Sequence, residues 1–191
     1  MGADKALLPF RDQTLLARAL QIAAAVAEKV VIVGPRARYS GYGDVVEDVY
    51  TYCGPLAGIH AALGATQTEL NLVLSVDMPL MSPAFLRWLL DQARNASDLI
   101  VVPDALGGPQ PLCAVYRRPV GALAERALKN GDYKIGHLFS QAPTCYISEA
   151  EMREAGFSPE IFRNVNTVAE YESLVNENGA VLAKGKESGR G

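Results

Sequence analysis

The stretch that most restricts what this chain can fold into is "LNLVLSVD", Leu70 to Asp77. An almost continuous apolar run of this length predicts a parallel strand covered on both faces. It ends on a carboxylate and is followed by Met78-Pro79. Pro79 cannot extend a central strand and turns the chain out of the sheet. Asp77 is thereby expected at the mouth of a buried strand.

The flanking sequence alternates short β-rich runs with helical stretches. Thr14 to Glu28 carries Leu15, Ala19, Ile22 and Val26 on one stripe and predicts an amphipathic helix. "KVVIVG" and "DVVEDV" predict strands, and "GPLAGIHAALGA" a helix with Pro55 in its first turn. "SPAFLRWLLDQAR" predicts a helix capped by Ser82. "DLIVVPDA", "PLCAVYRR" and "PTCYIS" predict strands, the second a candidate for antiparallel pairing. "VGALAERALKNG" and "VAEYESLVNE" complete the helices, and "KGKESGRG" lacks apolar periodicity. Strands alternating with helices predict a three-layer α/β domain with a mostly parallel sheet. One domain is expected over residues 1–180, with a tail over 181–191. Ligands of such sheets bind beyond the carboxyl ends of the strands, here Gly34, Asp48, Asp77 and Asp104.

With 191 residues, 49% of them hydrophobic, the chain can bury a sizeable core. A formal charge of −3 points away from nucleic acid or an anionic membrane as the main partner. Cys53, Cys113 and Cys145 are widely spaced and form no C-x-x-C pair, which argues against a disulfide framework or structural zinc. Reduced thiols and the lack of a signal-peptide or spanning pattern predict a cytoplasmic protein.

The chemistry-bearing candidates lie at the strand ends. A carboxylate at Asp77, beside a nucleotide, suits Mg²⁺, a hard ion that takes oxygen ligands; the same position also suits an Asp capping the next loop. Asp48 follows "VVE", and Gly54, Pro55 and Gly58 then open a helix. Small residues there let a nucleotide approach the backbone and the helix start supplies N–H donors, although a tight strand-to-helix connection needs the same residues. Lys5 can neutralise a phosphate, with Gly2 permitting backbone approach; a solvated lysine is the alternative. In "NVNT", Asn164 and Asn166 share a face if extended, or Asn166 or Thr167 caps a helix starting at Val168. His60 and His137 read as packing or surface residues, and Phe85 and Trp88, three apart, as helix–sheet core. Nothing matches a serine or cysteine nucleophile elbow.

Taken in order, "MGADKALLPF", "GPLAGIHAAL", "LVLSVDMPLMSP", "QPLCAVYRR" and "NVNT" resemble the MobA-type nucleotidyltransferases over almost the whole chain. The type activity of that family joins GMP from GTP to molybdopterin-bound molybdenum. The resemblance implies a three-layer α/β/α Rossmann-like nucleotidyltransferase fold. By the same resemblance Lys5 contacts the triphosphate, Asp48 binds the nucleotide and Asp77 ligates Mg²⁺. Gly34 falls where the family often has an asparagine near the nucleotide, which leaves a backbone contact at most. Asn164 and Asn166 match paired asparagines near the pterin and its attacking phosphate. The implied partners are GTP, molybdenum-molybdopterin and a molybdoenzyme or cofactor-insertion protein.

One departure sets a further expectation. Family members run a first strand into L-A-G-G-x-S-x-R just before the Met-Gly. Met1 stands at that Met, so the central first strand and the loop that cradles phosphates are expected to be missing. Its neighbours would then carry unpaired backbone groups, and the chain as given is expected to bind GTP poorly. Other readings are a cytidylyltransferase acting on the same pterin, a sugar-phosphate nucleotidyltransferase, and a non-catalytic molybdopterin-binding module. "GPLAGI" favours the guanylyl type, and the retained Lys5, Asp77, Asn164 and Asn166 argue against the last.

Overall fold

The computed structural model describes residues 4–164. Gly2, Asn166, the helix predicted at "VAEYESLVNE" and the tail lie outside them.

The chain starts with a 3₁₀ turn, Lys5–Leu7, and a small hairpin of β1 (Pro9–Phe10) and β2 (Gln13–Thr14). Thr14 then caps α1 (Leu15–Ala24), its hydroxyl accepting the Ala17 N–H at 3.1 Å. The helix stops at Ala24, short of the Glu28 that periodicity suggested, because Val26 N–H turns back to the Ala23 carbonyl. Next come β3 (Ile32–Val33), the single turn α2 (Arg36–Tyr39) and β4 (Val45–Val46), with β3 and β4 parallel. The helix α3 (Pro55–Gly64) follows, with Pro55 in the first turn.

β5 (Leu70–Leu74) leads through the Asp77 turn to α4 (Pro83–Asn95), where the Ser82 hydroxyl accepts the Phe85 N–H at 3.2 Å. Then come β6 (Ile100–Ala105), β7 (Gly108–Pro109), β8 (Cys113–Arg117), α5 (Val120–Lys129), α6 (Ile135–Gln141), β9 (Thr144–Ser148) and α7 (Glu149–Glu154). A second 3₁₀ turn, Pro159–Phe162, ends the described part.

The main sheet runs β5-β8-β6-β7, with β9 also on β6. β8 is antiparallel to both β5 and β6, while β9 is parallel to β6. β5, β6 and β9 therefore run in one direction with β8 against them: the sheet is mixed, the parallel expectation holds for those three strands, and the antiparallel candidate "PLCAVYRR" is β8. The reason is local: Leu106 and Gly107, both at positive φ, reverse the chain after β6. The few residues from there to β8 hold no crossover helix, which a parallel return would need.

Side chains of period two sort onto two faces. Ile100, Val102, Ala114 and Tyr116 pack with Leu56 and Ile59 of α3, Val120 and Leu128 of α5 and Leu138 of α6. Val101, Cys113 and Val115 pack instead with Phe85, Leu86 and Leu89 of α4, Met152 of α7 and Phe162. The α/β/α layering follows directly. Phe85, Leu86 and Leu89 are fully buried, each worth roughly 1.5–3 kcal/mol of transfer free energy.

β5 departs from its expected burial. Residues Leu70 to Leu74 are all half-buried. β8 holds one edge, and among the described residues no strand holds the other. Among the described residues β3 is likewise paired only with β4, and the two sheets share no ladder.

Candidate active site

The Asp77 turn is fixed from both sides. Ser75 N–H still donates to the Leu112 carbonyl at 2.7 Å, so the chain leaves the β8 ladder one residue before Val76. Beyond the turn, Met78 and Met81 are buried in the α4 core. Arg18 Nε of α1 donates to the Pro79 carbonyl at 2.5 Å. Held this way, Asp77 is left with one carboxylate oxygen, Oδ1, buried and without a hydrogen-bond partner. Orphaned buried polar atoms are uncommon in folded proteins and call for an explanation, an ion or a water among them; His60 Nδ1 is in the same state.

The Lys5 turn is held as closely. Asp4 Oδ1 accepts the Ala6 N–H at 3.1 Å, capping the turn from within. Tyr39 Oη donates to Asp4 Oδ2 at 2.9 Å, and Arg38 Nη1 donates to the same oxygen at 3.2 Å. Burial raises the Asp4 carboxyl, but hydrogen bonds from Tyr39, the Ala6 N–H and Arg38 outweigh it and hold the group below its usual range. Ala6 itself is buried with Leu16, Ile32 and Val45, and Val76 packs against the same small core. Lys5 is exposed beside it.

Gly34 closes β3, its N–H donating to the Val46 carbonyl at 3.0 Å. A Cβ on Gly34 would meet the Tyr39 ring at 2.9 Å, and its φ of +152° favours glycine. Gly54 opens α3 at φ +68° with nothing near its missing side chain. Gly58, one turn on, faces Val33 and Asp48: a Cβ there would stand 3.6 Å from Val33 Cγ1 and 3.8 Å from Asp48 Oδ1. Burial against this helix start raises the Asp48 carboxyl above its usual range. Contacts thus link Gly34 to the Lys5 turn through Tyr39, and Asp48 to Gly58. Lys5 and Asp77 flank members of one core.

Asn164 is exposed beyond the buried Phe162, whose ring meets Phe85 with centroids 5.3 Å apart, and it joins none of these contacts. Asp104 lies within β6, paired with Pro109 and Ser148, rather than at a strand mouth. His60 meets Tyr50 edge-on at 5.2 Å and His137 pairs with Asp132 at 2.9 Å, in keeping with packing and surface roles. All three cysteines are free. No helix among the described residues is long and apolar enough to cross a membrane.

Among the described residues no group of three or more His, Cys, Asp or Glu side chains could enclose a metal ion. The single hard oxygen of Asp77 does fit Mg²⁺, which keeps waters and is held by one or two carboxylates plus substrate phosphates. Asp4, Tyr39 and Arg18 escaped the sequence reading. Asp4 had a signal, since Asp commonly bonds the backbone N–H two residues on; Tyr39 and Arg18 had none, because their partners are remote.

Residues 1–145 match the family described as the MobA-like NTP transferase domain. The chain belongs to that family. It is similar to the molybdenum cofactor guanylyltransferase of Desulfosudis oleivorans, 30% identical over 173 residues that cover 90% of this chain and 85% of the other. Among solved structures, molybdopterin-guanine dinucleotide biosynthesis protein A from Archaeoglobus fulgidus matches with a TM-score of 0.80 at 24% identity, over 92% of each chain. A Mycobacterium tuberculosis protein solved in complex with manganese matches at a TM-score of 0.58 and 24% identity, over 77% of this chain and 82% of that one. These two likenesses establish the shared α/β nucleotidyltransferase fold. In this MobA-like chain the Asp77 turn and the Lys5 turn meet at one small core.

Proposed function

We propose that this MobA-like chain transfers GMP from GTP to molybdenum-molybdopterin, forming the guanine dinucleotide cofactor and pyrophosphate. One observation carries the reading: the orphaned oxygen of Asp77 and the cation of Lys5 flank the same core. A hard-ion ligand and a phosphate-seeking cation on segments packed into one core suit nucleotidyl transfer. The name of the Desulfosudis relative supports the guanylyl donor and the pterin acceptor.

The reaction is an in-line displacement. An oxygen of the pterin's terminal phosphate forms a bond to the α-phosphorus of GTP, the bond from that phosphorus to the bridging oxygen breaks, and pyrophosphate leaves with the electron pair. Asp77 would hold Mg²⁺, which when bound lends Lewis-acid charge to the phosphates. Lys5 offsets negative charge developing on the leaving group, with Gly2 permitting close backbone approach. Asp48 orients the nucleotide at the start of α3, where Gly54, Pro55 and Gly58 leave the helix N–H groups accessible. Gly34 supplies at most a backbone contact. Asn164 and Asn166 orient the acceptor phosphate, so that catalysis is chiefly positioning. The product passes to a molybdoenzyme or a cofactor-insertion protein.

The test is calorimetry with Mg²⁺ and GTP, CTP, ATP or UTP, followed by pyrophosphate release on adding molybdenum-molybdopterin. It is run on the chain as given and on the chain with a strand and L-A-G-G-x-S-x-R loop fused ahead of Met1. Tight binding confined to GTP, with pyrophosphate release, supports the reading. No GTP binding by either form, or equal affinity for CTP, overturns it.

A further inference from the structure

We propose that Tyr39 is a positioning residue that, through Asp4, fixes the turn carrying Lys5, and that Gly34 keeps the seat of its ring open. The proposal rests on the triphosphate role of Lys5 given above.

The Lys5 turn is short, and two backbone bonds define it: Leu7 N–H to the Asp4 carbonyl at 3.0 Å and Leu8 N–H to the Lys5 carbonyl at 3.1 Å. A turn this small does not hold its own direction; something outside must aim it. Asp4 links the two levels, accepting Ala6 N–H from the turn and Tyr39 Oη and Arg38 Nη1 from α2. Arg38 contributes little, because its side chain is 60% exposed and such pairs are worn down by solvent. Tyr39 is half-buried and packs against the core that holds Ala6 and Ile32. Its hydroxyl bonds both Asp4 oxygens, at 2.9 and 3.1 Å.

The ring needs Gly34. Any Cβ at that position would stand 2.9 Å from Tyr39 Cε2 and 3.1 Å from Cδ2. Gly34 therefore earns its identity from Tyr39, which accounts for a glycine where the family resemblance suggests a nucleotide-facing asparagine. The strut runs from the end of β3 through Tyr39 and Asp4 to the turn that aims the Lys5 ammonium.

The test compares Tyr39→Phe, Gly34→Ala, Lys5→Ala and the Tyr39→Phe/Lys5→Ala double variant. Amide hydrogen exchange at Ala6, Leu7 and Leu8 is measured without nucleotide, and Mg·GTP and GMP affinities in whichever form binds GTP more tightly. Tyr39→Phe should speed exchange at these amides and weaken GTP about tenfold, the scale of one hydrogen bond to a charged group. GMP affinity should hold, and the GTP loss should vanish in the Lys5→Ala background. Gly34→Ala, with its hydroxyl partner intact, should reproduce both effects. Unchanged exchange in Tyr39→Phe, or an equal GTP loss with and without Lys5, overturns the positioning role while leaving the nucleotide reading in place. If Lys5→Ala leaves GTP affinity unchanged, or no form binds GTP, the Lys5 role fails and the positioning role of Tyr39 fails with it.

Discussion

Ala6 and Val76 pack into one small core with Leu16, Ile32 and Val45. Lys5 precedes the first and Asp77 follows the second. A cation and a carboxylate from distant parts of the chain are therefore brought out beside the same apolar cluster. Packing of Ala6 and Val76 into that cluster is what brings the two segments together. The candidate site is held by apolar side chains that carry no titratable group.

Asp77→Ala should separate function from stability. The wild-type side chain keeps a buried, unpartnered oxygen, and such a group costs about 1–3 kcal/mol of folding free energy. Removing it should hold or raise the midpoint of urea unfolding. Divalent-dependent GTP binding should fall about a hundredfold, since one hard ligand is lost. A marked drop in stability with nucleotide affinity intact would identify Asp77 as a loop cap.

Gly58 and Gly54 should respond in opposite ways. A Cβ on Gly58 meets only ordinary van der Waals neighbours, at 3.6 and 3.8 Å, and alanine is favoured over glycine within a helix by roughly 0.8–1 kcal/mol. Gly58→Ala should therefore hold or raise stability while lowering GTP affinity, if the small residue exists for the ligand. Gly54 has open space but sits at φ +68°, so Gly54→Ala should destabilise by about 1–2 kcal/mol. Denaturant midpoints and calorimetry on both variants read the difference.

The pattern of legible and illegible features has a physical origin. The helix of Pro83–Asn95 was readable because Ser82, Pro83 and a single apolar stripe all gave the same answer. The strands at 100–105, 113–117 and 144–148 were readable from β-branched runs. The antiparallel direction of 113–117 was anticipated as a candidate, but its cause, the reversal at Leu106–Gly107, does not show in strand composition. The burial of β5 was overestimated for a related reason: an apolar strand looks the same whether one or both edges are paired. At the candidate site, Asp48 and Asp77 stand out in the sequence because they follow apolar runs. Tyr39 and Arg18 act through partners far along the chain, Asp4 and Pro79, which no local pattern connects.

Acid titration should resolve Asp4 from Asp48. The Asp4 carboxyl lies below its ordinary value of 3.8, so its ionised form supports the fold. That support is complete above about 3.8 and disappears as the pH falls through the lower folded value. Asp48 is shifted upward by burial, so its charge opposes folding above the raised value and protonation relieves it on the way down to 3.8. Urea unfolding across a pH series should show Asp4→Asn flattening the loss below 3.8. Asp48→Asn should remove a dependence above 3.8 and leave neutral-pH stability equal or higher. The same dependence in both variants would contradict these assignments.

Arg18 offers a way to loosen the Asp77 turn without touching it. Its Nε donates to the Pro79 carbonyl at 2.5 Å, and its guanidinium carbon lies 5.6 Å from the centroid of the buried Phe10 ring. Arg18→Met keeps the apolar stem but loses a charged donor and a cation–π contact, which together should destabilise by about 1–3 kcal/mol. Lysine cannot restore the planar, stacked geometry, so Arg18→Lys should recover only part of that loss. If the bond also aims the carboxylate, the Mg²⁺ concentration for half-maximal GTP binding should rise in Arg18→Met while GTP affinity at saturating Mg²⁺ is regained. A loss of stability with an unchanged Mg²⁺ requirement would mean that Arg18 braces the hairpin and α1 against the turn, and that Asp77 is aimed by Met78, Met81 and the β8 ladder alone.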